Sequence, residues 1–139
     1  MDKLNLEDAL NFGELSGRAR EYSAISLAYI GDCVYEMYVR SYLLGKGNRR
    51  VNDLHRMATQ YVRAKAQAEF YYKIEDILTE DEKAVFHRGR NTKSHPPKNA
   101  DVIEYKIATG VEALIGYLYI EGKSDRISEL MSHLFELSL

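Results

Sequence analysis

Apolar residues recur at intervals of three and four along most of the chain, which is the spacing of one face of an α-helix. The first such stretch runs from about Tyr22 to Leu44, and Gly45 and Gly47 follow it as a stop signal. A second runs from about Asp53 to Tyr72, with Asn52 as its predicted N-cap. No stretch shows the sustained alternation and hairpin turns of paired strands, so the pattern predicts an all-α fold with five or six helices.

Shorter helices follow, and capping signals mark where they begin. Thr79, with Glu82 three residues later, forms a capping box for a helix that ends near His87. Asp101 has an acid at the same spacing and opens a helix that runs to about Ile120.

The last helix is predicted to begin at a Ser124 cap, after Gly122 has ended the preceding one. Residues 1–21 are polar and glycine-containing, and they form a lead-in to a single domain that spans residues 22–139. The buried face of the last helix is predicted to carry Ile127, Leu130, Met131 and Leu134.

Two of these helices carry an acid within an otherwise apolar, uncharged sequence. Asp32 lies in LAYIGDCVYE, and Glu112 lies in TGVEALIGYLY. An ionised carboxylate in a core is costly unless a metal ion, a basic partner or water compensates it. The two acids are therefore candidates for one shared site, and the alternative for each is an exposed position or an ordinary ion pair.

The neighbours of the two acids differ in what they indicate. Gly31 and Gly110 leave room for backbone or substrate to come close, although a glycine costs a helix about 0.5–1 kcal/mol relative to alanine. Glu36 lies four residues before Arg40, so a helical ion pair accounts for it. Cys33 has no basic neighbour in the sequence and is predicted to be a small buried side chain.

The longest predicted irregular stretch is HRGRNTKSHPPKNA, residues 87–100, in which Gly89 and the Pro96–Pro97 pair are breakers. Residues 83–100 contain five lysines and arginines and no acid. Loops are polar in any case, but this is the one basic segment of the chain, so we expect it to bind phosphate. The predicted contacts are Arg88, Arg90, Lys93 and Lys98.

Composition limits the classes of protein that fit. The 139 residues suffice for one domain with a core, and a formal net charge of -2 excludes a globally basic nucleic-acid binder. A single cysteine excludes an intramolecular disulfide framework and a cysteine zinc site. No apolar run approaches the roughly 18 residues of a membrane span, and no signal peptide is evident, so we expect a cytoplasmic protein without a membrane partner.

The two acids supply hard oxygen ligands of the kind that Mg²⁺ prefers. Mg²⁺ is usually held by one or two carboxylates, several waters and substrate phosphate oxygens. A site built on Asp32 and Glu112 therefore suits phosphodiester hydrolysis, in which the metal lowers the pKa of water and stabilises charge on the displaced oxygen.

The motifs together resemble the ribonuclease III family. LAYIGDCVYE is similar to the signature helix of its catalytic domain, and ATGVEALIGYLY to its second catalytic helix, in the same order and at a matching separation. The resemblance extends from about residue 22 to residue 139 and includes the stretches NDLHRMATQYVRAKAQAE and HRGRNTKSHPPKN. These stretches resemble the branch named mini-ribonuclease III, which has no double-stranded RNA-binding domain.

The resemblance implies roles for specific residues. Asp32 matches the signature aspartate and Glu112 the essential glutamate, and both are expected to be catalytic and to bind Mg²⁺, for which Mn²⁺ can substitute. Ala28 and Thr109 stand where full-length family members have a glutamate and an aspartate. Mini-ribonuclease III also lacks these two acids, so we expect a weaker metal site with more water rather than an inactive enzyme.

The resemblance also implies an assembly and a substrate. It predicts a helical homodimer with the signature helices near the interface, and a valley that holds double-stranded RNA between two sites. Each site would cut one strand and leave a 5′-phosphate and a 3′ overhang. The implied substrate is the precursor of the large ribosomal RNA, with ribosomal proteins as further partners.

We therefore expect a Mg²⁺-dependent endoribonuclease that acts on double-stranded RNA. A-form duplexes are recognised mainly by shape, phosphate and 2′-hydroxyl contacts, for which the basic segment is suited. One alternative is a non-catalytic RNA-binding or ribosome-associated homologue that lost turnover with Ala28 and Thr109. Another is a purely structural helical dimer in which both acids form ordinary ion pairs.

Overall fold

The computed structural model describes residues 18–93 and 95–137, and within these ranges every regular element is a helix and no β-strand occurs, which confirms the all-α prediction. Of the lead-in predicted for residues 1–21, residues 1–17 lie outside the described part of the chain. None of the described helices is long and apolar enough to cross a bilayer. The α-helices of this part are α1 (Ala24–Lys46), α2 (Val51–Val62), α3 (Ala64–Ile74), α4 (Glu80–Arg90), α5 (Val102–Ile120) and α6 (Ser124–Leu134), with 3₁₀ turns at Ala19–Glu21 and Glu75–Ile77.

Helix α5 is the centre of the fold. Every residue from Ile107 to Tyr119 is buried except Glu112, because α1, α3, α4 and α6 all pack around this helix. Its start is as predicted, since the Asp101 side chain accepts a hydrogen bond from the Glu104 N–H at 3.0 Å. Gly122 follows its last turn with a φ of 72°, a conformation that glycine adopts without strain.

Helix α1 packs along α5 and matches its prediction closely. The Ser23 hydroxyl accepts a hydrogen bond from the Ser26 N–H at 3.2 Å and caps the helix. Gly47 follows its last residue. Its buried face carries Leu27, Ala28, Gly31, Tyr35, Val39 and Leu43.

The prediction of one continuous helix from about Asp53 to Tyr72 is wrong, because the structure divides this stretch into α2 and α3 at Arg63. Arg63 has extended backbone angles, with φ of -66° and ψ of 155°. The break leaves backbone carbonyls without helical partners, and side chains satisfy two of them. The Tyr35 hydroxyl donates to the Tyr61 carbonyl at 2.6 Å, and Gln67 Nε2 donates to the Val62 carbonyl at 2.9 Å.

Two predicted N-caps are also wrong. Helix α2 begins at Val51, because the Leu54 N–H already bonds the Arg50 carbonyl, so Asn52 lies within the first turn instead of preceding it. Helix α6 begins one residue earlier than expected. Its Ile127 N–H bonds the Lys123 carbonyl, which makes Ser124 the first helical residue. The predicted buried face of α6 is confirmed.

Helix α4 opens with the predicted capping box of Thr79 and Glu82. Glu82 is also the buried partner of Arg126 on α6, whose guanidinium donates to both carboxylate oxygens at 2.8 and 2.9 Å. This ion pair ties the start of α4 to α6. The helix runs past the expected end at His87 and continues to Arg90.

Candidate active site

Asp32 and Glu112 come together although 80 positions separate them in the sequence. Asp32 is exposed near the middle of α1, and Glu112 is partly buried near the middle of α5. Their carboxyl groups share a hydrogen bond. Two carboxyl groups can do so only when one of them holds a proton, so the structure places the two predicted acids at one shared position.

Small residues at the crossing of α1 and α5 cause this juxtaposition. A Cβ atom added to Gly31 would lie 1.7 Å from the backbone oxygen of Glu112. A Cβ atom added to Gly116 would lie 1.9 Å from the backbone oxygen of Leu27. The two backbones therefore touch at glycines on both helices, and this contact fixes the height of Asp32 relative to Glu112. The room that Gly31 was predicted to leave is filled by backbone.

The environment of Glu112 favours its protonated form. Burial, and next the charge and hydrogen bond of Asp32, raise the pKa of Glu112 to about 8. The Gln67 side-chain amide opposes this shift, because it favours the charged carboxylate and so lowers the pKa of Glu112. Burial also raises the pKa of the nearby Tyr35, and the Glu112 charge adds to that effect.

An open cleft of about 540 Å³ exposes the acid pair to solvent. The two positions at which the resemblance predicts missing carboxylates, Ala28 and Thr109, both line it. The Thr109 hydroxyl donates to the Tyr105 carbonyl at 3.0 Å, so its hydrogen is committed to the helix backbone. The remaining lining residues are Ile25, Tyr29, Ile30, Cys33, Glu36 and Tyr105.

The side chains near the cleft suit a hard cation with few protein ligands. Within the described ranges, no group of three or more His, Cys, Asp or Glu side chains is arranged to hold a metal ion. The pair of Asp32 and Glu112 is nevertheless a donor set that fits Mg²⁺, which commonly takes one or two carboxylates and keeps its waters. A divalent cation between them would also replace the shared proton and remove the repulsion between the two charges.

Glu36 and Cys33 also lie at the cleft. Glu36 forms the expected ion pair with Arg40, at 3.6 Å, while remaining on the cleft wall. The prediction of a buried Cys33 is wrong, since its side chain is exposed on the outer face of α1.

The basic residues have a more regular setting than the predicted loop. Arg88 and Arg90 lie in the last turn of α4, and only Lys93 and Lys98 lie in the irregular segment that follows. Gly89 does not break the helix. A Cβ atom added there would lie 2.7 Å from the Ala113 Cβ, so glycine instead permits close packing of α4 on α5.

The four predicted phosphate contacts are all exposed, and we name them the basic surface: Arg88, Arg90, Lys93 and Lys98. None of the four has an acidic partner within 4.0 Å in the part of the chain that the structure describes. The fifth basic residue of this segment, Lys83, pairs with Glu80 at 3.7 Å. The basic surface begins beside Gly89, whose contacts on α5 include Gly110 and the Thr109 backbone oxygen, next to the cleft.

Gln67 is a residue near the acids that sequence reasoning missed. Its side chain is buried, with an exposed fraction of 3%, and its Nε2 donates to the Val62 carbonyl at the break between α2 and α3. Its amide is close enough to Glu112 to lower the pKa of that carboxyl group. The sequence signal was a lone glutamine among small residues in RAKAQAEF. That signal has no meaning while α2 and α3 are treated as one helix, because the role of Gln67 depends on the break.

Comparison with known proteins agrees with the fold and the two acidic helices. The family model described as the ribonuclease III domain matches residues 25–123. A protein from Desulfitobacterium hafniense named Mini-ribonuclease 3 is 51% identical over 108 residues, covering 78% of this chain and 69% of the relative. A protein of the same name from Enterococcus faecalis is 47% identical over 116 residues, covering 81% of this chain and 88% of the relative.

A solved structure adds support from geometry. The crystal structure of a protein from Fusobacterium nucleatum superposes with a TM-score of 0.79 at 33% identity, covering 87% of this chain and 98% of that one. The domain match includes both acidic helices, α1 and α5, almost completely. The predicted resemblance is confirmed, and the chain belongs to the ribonuclease III family of endoribonucleases.

Proposed function

We propose that this protein is a Mg²⁺-dependent endoribonuclease that cleaves double-stranded RNA, with Asp32 and Glu112 as its catalytic, metal-binding pair. The observation that carries the proposal is the contact of these two carboxyl groups at an open cleft. Ordinary ion pairs, the structural alternative, do not account for them, because neither acid has a basic partner within 4.0 Å among the described residues. Such a pair is stable at neutral pH only with a shared proton or a cation.

The chemistry of the pair follows from its charge. When bound, Mg²⁺ lowers the pKa of water and stabilises negative charge on the oxygen released from phosphorus. Asp32 and Glu112 would hold the ion at the height fixed by the glycine contacts between α1 and α5. The apolar surroundings of Glu112 strengthen its attraction for a cation, because they lower the local dielectric.

The basic surface would hold the substrate backbone. Its four cations are exposed and free of acidic partners among the described residues, so they are available to phosphates. The packing of Gly89 on α5 brings the first of them close to the cleft. A duplex docked on this surface would therefore place one strand near the acid pair. The finer proposals are the precursor of the large ribosomal RNA as substrate, ribosomal proteins as partners and a cytoplasmic location.

A second copy of the chain would complete the duplex-binding surface. Exposed apolar side chains follow one side of α1 from Ile25 to Leu44, and Tyr29 is 83% exposed. A contiguous exposed apolar stripe of this kind is typical of a protein interface. Ile25 and Tyr29 also line the cleft, so an interface there would set two cleavage sites side by side.

The proposal is tested with purified duplex RNA, including a transcript of a large ribosomal RNA precursor. Cleavage in Mg²⁺ that stops in EDTA, with a 5′-phosphate on the products, is the expected result. Glu112→Gln and Asp32→Asn are each expected to reduce kcat at least about 10²-fold while RNA binding persists. Glu69→Gln, at an exposed position on α3, is the matched control and is expected to leave cleavage unchanged.

Two outcomes would contradict the proposal. Equal absence of cleavage in Mg²⁺ and EDTA over a broad set of duplexes, with tight RNA binding, would favour the non-catalytic RNA-binding alternative. Near wild-type cleavage by Glu112→Gln would remove Glu112 from the site.

A further inference from the structure

Phe86 is a residue that packs α4 onto α5 next to the cleft. Its side chain is fully buried. A Cβ atom added to Gly110 would lie 2.7 and 2.8 Å from two atoms of the Phe86 ring and 2.8 Å from the Phe86 backbone oxygen. The room that Gly110 was predicted to leave for backbone or substrate is therefore filled by the ring and backbone of Phe86.

A third helix holds the same ring in place. The Phe86 ring stacks on the Tyr71 ring of α3, with the centroids 3.8 Å apart and an angle of 2° between the planes. Tyr71 is itself buried, so neither ring has free space to turn into. The Phe86 ring is therefore held by both α3 and α5, and it cannot move away from Gly110 without disturbing this stack.

The residues that follow Phe86 begin the basic surface. Arg88 and Arg90 lie two and four positions later, in the last turn of α4. The end of this turn is tied to the helix, since the Thr92 hydroxyl donates to the Arg88 carbonyl at 2.8 Å. A shift of the α4 backbone at Phe86 would therefore carry both arginines with it.

The residue that Phe86 contacts on α5 is also close to the acid pair. Gly110 follows Thr109, which lines the cleft, and precedes Glu112 by two positions. The same helix meets α1 where a Cβ atom added to Gly31 would lie 1.7 Å from the Glu112 backbone oxygen. Helix α5 thus carries both the contact that places the acid pair and the contact that places the start of the basic surface.

We propose that Phe86 is a positioning residue, which sets the distance between the basic surface and the acid pair through its contact with Gly110. This inference rests on the proposed function of both groups. Successive phosphates of an RNA strand are joined covalently, so a strand held at the basic surface presents a phosphate to the acid pair only when this distance is correct. Misplacement of a reacting group by about 1 Å can lower the rate about 10²-fold.

The test is a double-mutant cycle of Gly110→Ala and Phe86→Leu on a duplex RNA that the wild-type protein cleaves. Alanine at position 110 displaces the ring and backbone of Phe86, so we expect kcat to fall about 10–100-fold. The four cations of the basic surface stay exposed, so KM and the salt dependence of RNA binding should change little. Phe86→Leu leaves part of the space beside Gly110 unfilled and is expected to lower kcat about tenfold, again with KM little changed.

The double variant separates positioning from stability. Leucine lacks the full ring that meets the added methyl group, so the double variant is expected to recover to within about tenfold of the wild-type kcat instead of showing the product of the two losses. Val85→Ala is the matched control, since it shortens another buried side chain of α4 without adding an atom beside α5. It is expected to lower the free energy of unfolding and to leave kcat near the wild-type value.

A folded Gly110→Ala variant with the wild-type kcat would overturn the inference, and so would a loss confined to KM or a double variant without recovery. If Gly110→Ala does not fold, Phe86→Leu decides by its own kcat and KM, and wild-type values would overturn the inference there too. Failure of both single variants to fold would show that Phe86 serves stability alone. If the wild-type protein does not cleave duplex RNA, the proposed function fails together with the inference, whereas unaltered cleavage by the folded variants overturns the inference alone.

Discussion

Glu112 has an environment that changes with pH in the metal-free protein. It is partly buried beside the Asp32 carboxylate, so ionising it creates a second negative charge beside the first. The folded state therefore holds this proton more tightly than the unfolded chain does. Any cation that binds here competes with that proton, which couples metal affinity to pH.

The stability of the protein in EDTA is expected to fall as pH rises. The pKa of Glu112 is raised from 4.5 to about 8, so the native state binds more protons than the unfolded state between these values. Stability from this group is thus fully present below about pH 4.5 and is lost as pH rises to 8, by up to about 5 kcal/mol. Urea unfolding in EDTA at a series of pH values measures this change in the free energy of unfolding.

Glu112→Gln provides the internal comparison for this prediction. The amide cannot ionise, so the free energy of unfolding of the variant is expected to fall much less than that of wild type between pH 4.5 and 8. At pH 8.5 the variant is therefore expected to be more stable than wild type. Glu69→Gln, on the exposed surface of α3, is expected to follow the wild-type curve. Parallel curves for wild type and Glu112→Gln would show that Glu112 titrates alike in the folded and unfolded states.

At single residues, sequence reasoning succeeded where one position contradicted its surroundings. Asp32 and Glu112 stood out because each is a charge in an apolar helix, and the structure brings them together. Gln67 did not stand out, because its surroundings become buried only through the packing of α3 on α5. The exposure of Cys33 was missed for the related reason that periodicity alone did not identify the outer face of α1.

At the scale of helices, the crossing of α1 and α5 depends on glycine. Gly31→Ala would set a Cβ 1.7 Å from a backbone oxygen of α5, which no side-chain rearrangement can relieve. We expect a loss of at least about 3 kcal/mol in the free energy of unfolding, because the helices must separate. Any folded fraction is expected to cleave RNA poorly, since Asp32 and Glu112 would move apart.

Gly45→Ala is the matched control for this prediction. It lies in the same helix, and a Cβ there would meet nothing within 4 Å. Alanine is favoured over glycine in a helix, so we expect a gain of about 0.5–1 kcal/mol. Chemical denaturation of both variants measures the difference. Equal stabilities of Gly31→Ala and Gly45→Ala would exclude the close contact at Gly31.

Helix boundaries were predictable where a local capping signal sets them. The Thr79 and Asp101 caps are such signals, and both are confirmed. The break at Arg63 was not predictable, because neither glycine nor proline marks it and its free carbonyls are satisfied by distant packing. Gly89 was misjudged as a breaker because its contact with Ala113 lies on another helix.

At the scale of the whole molecule, a net charge of -2 coexists with an uncompensated basic surface. RNA affinity should therefore depend on these four residues and on salt. Replacing Arg88, Arg90, Lys93 and Lys98 together by glutamine is expected to weaken binding and to lower the slope of log affinity against log salt by about three to four. Filter binding between low and moderate salt measures the slope. Lys73→Gln on α3 removes the ion-pair partner of Glu136, which follows the end of α6, and it is expected to preserve the slope. An unchanged slope in the fourfold variant would exclude the basic surface from RNA binding.

The exposed stripe of α1 makes assembly testable in the same molecule. Tyr35 and Val39 of α1 are buried, whereas Ile25, Tyr29, Met37 and Leu44 are exposed, so the apolar residues open to a partner are those on the outer side of the helix. A charge at the most exposed of them would be desolvated in an interface at a large cost. Tyr29→Asp is therefore expected to convert a dimer into a monomer.

Light scattering at a series of concentrations gives the mass directly. Wild type is expected at the mass of two chains, and Tyr29→Asp at the mass of one. Tyr72→Asp is the matched control, since Tyr72 is 57% exposed on α3 and its replacement should leave the mass of the dimer unchanged. A wild-type protein that remains monomeric at high concentration would leave the apolar stripe without a second copy to cover it and would contradict the dimer.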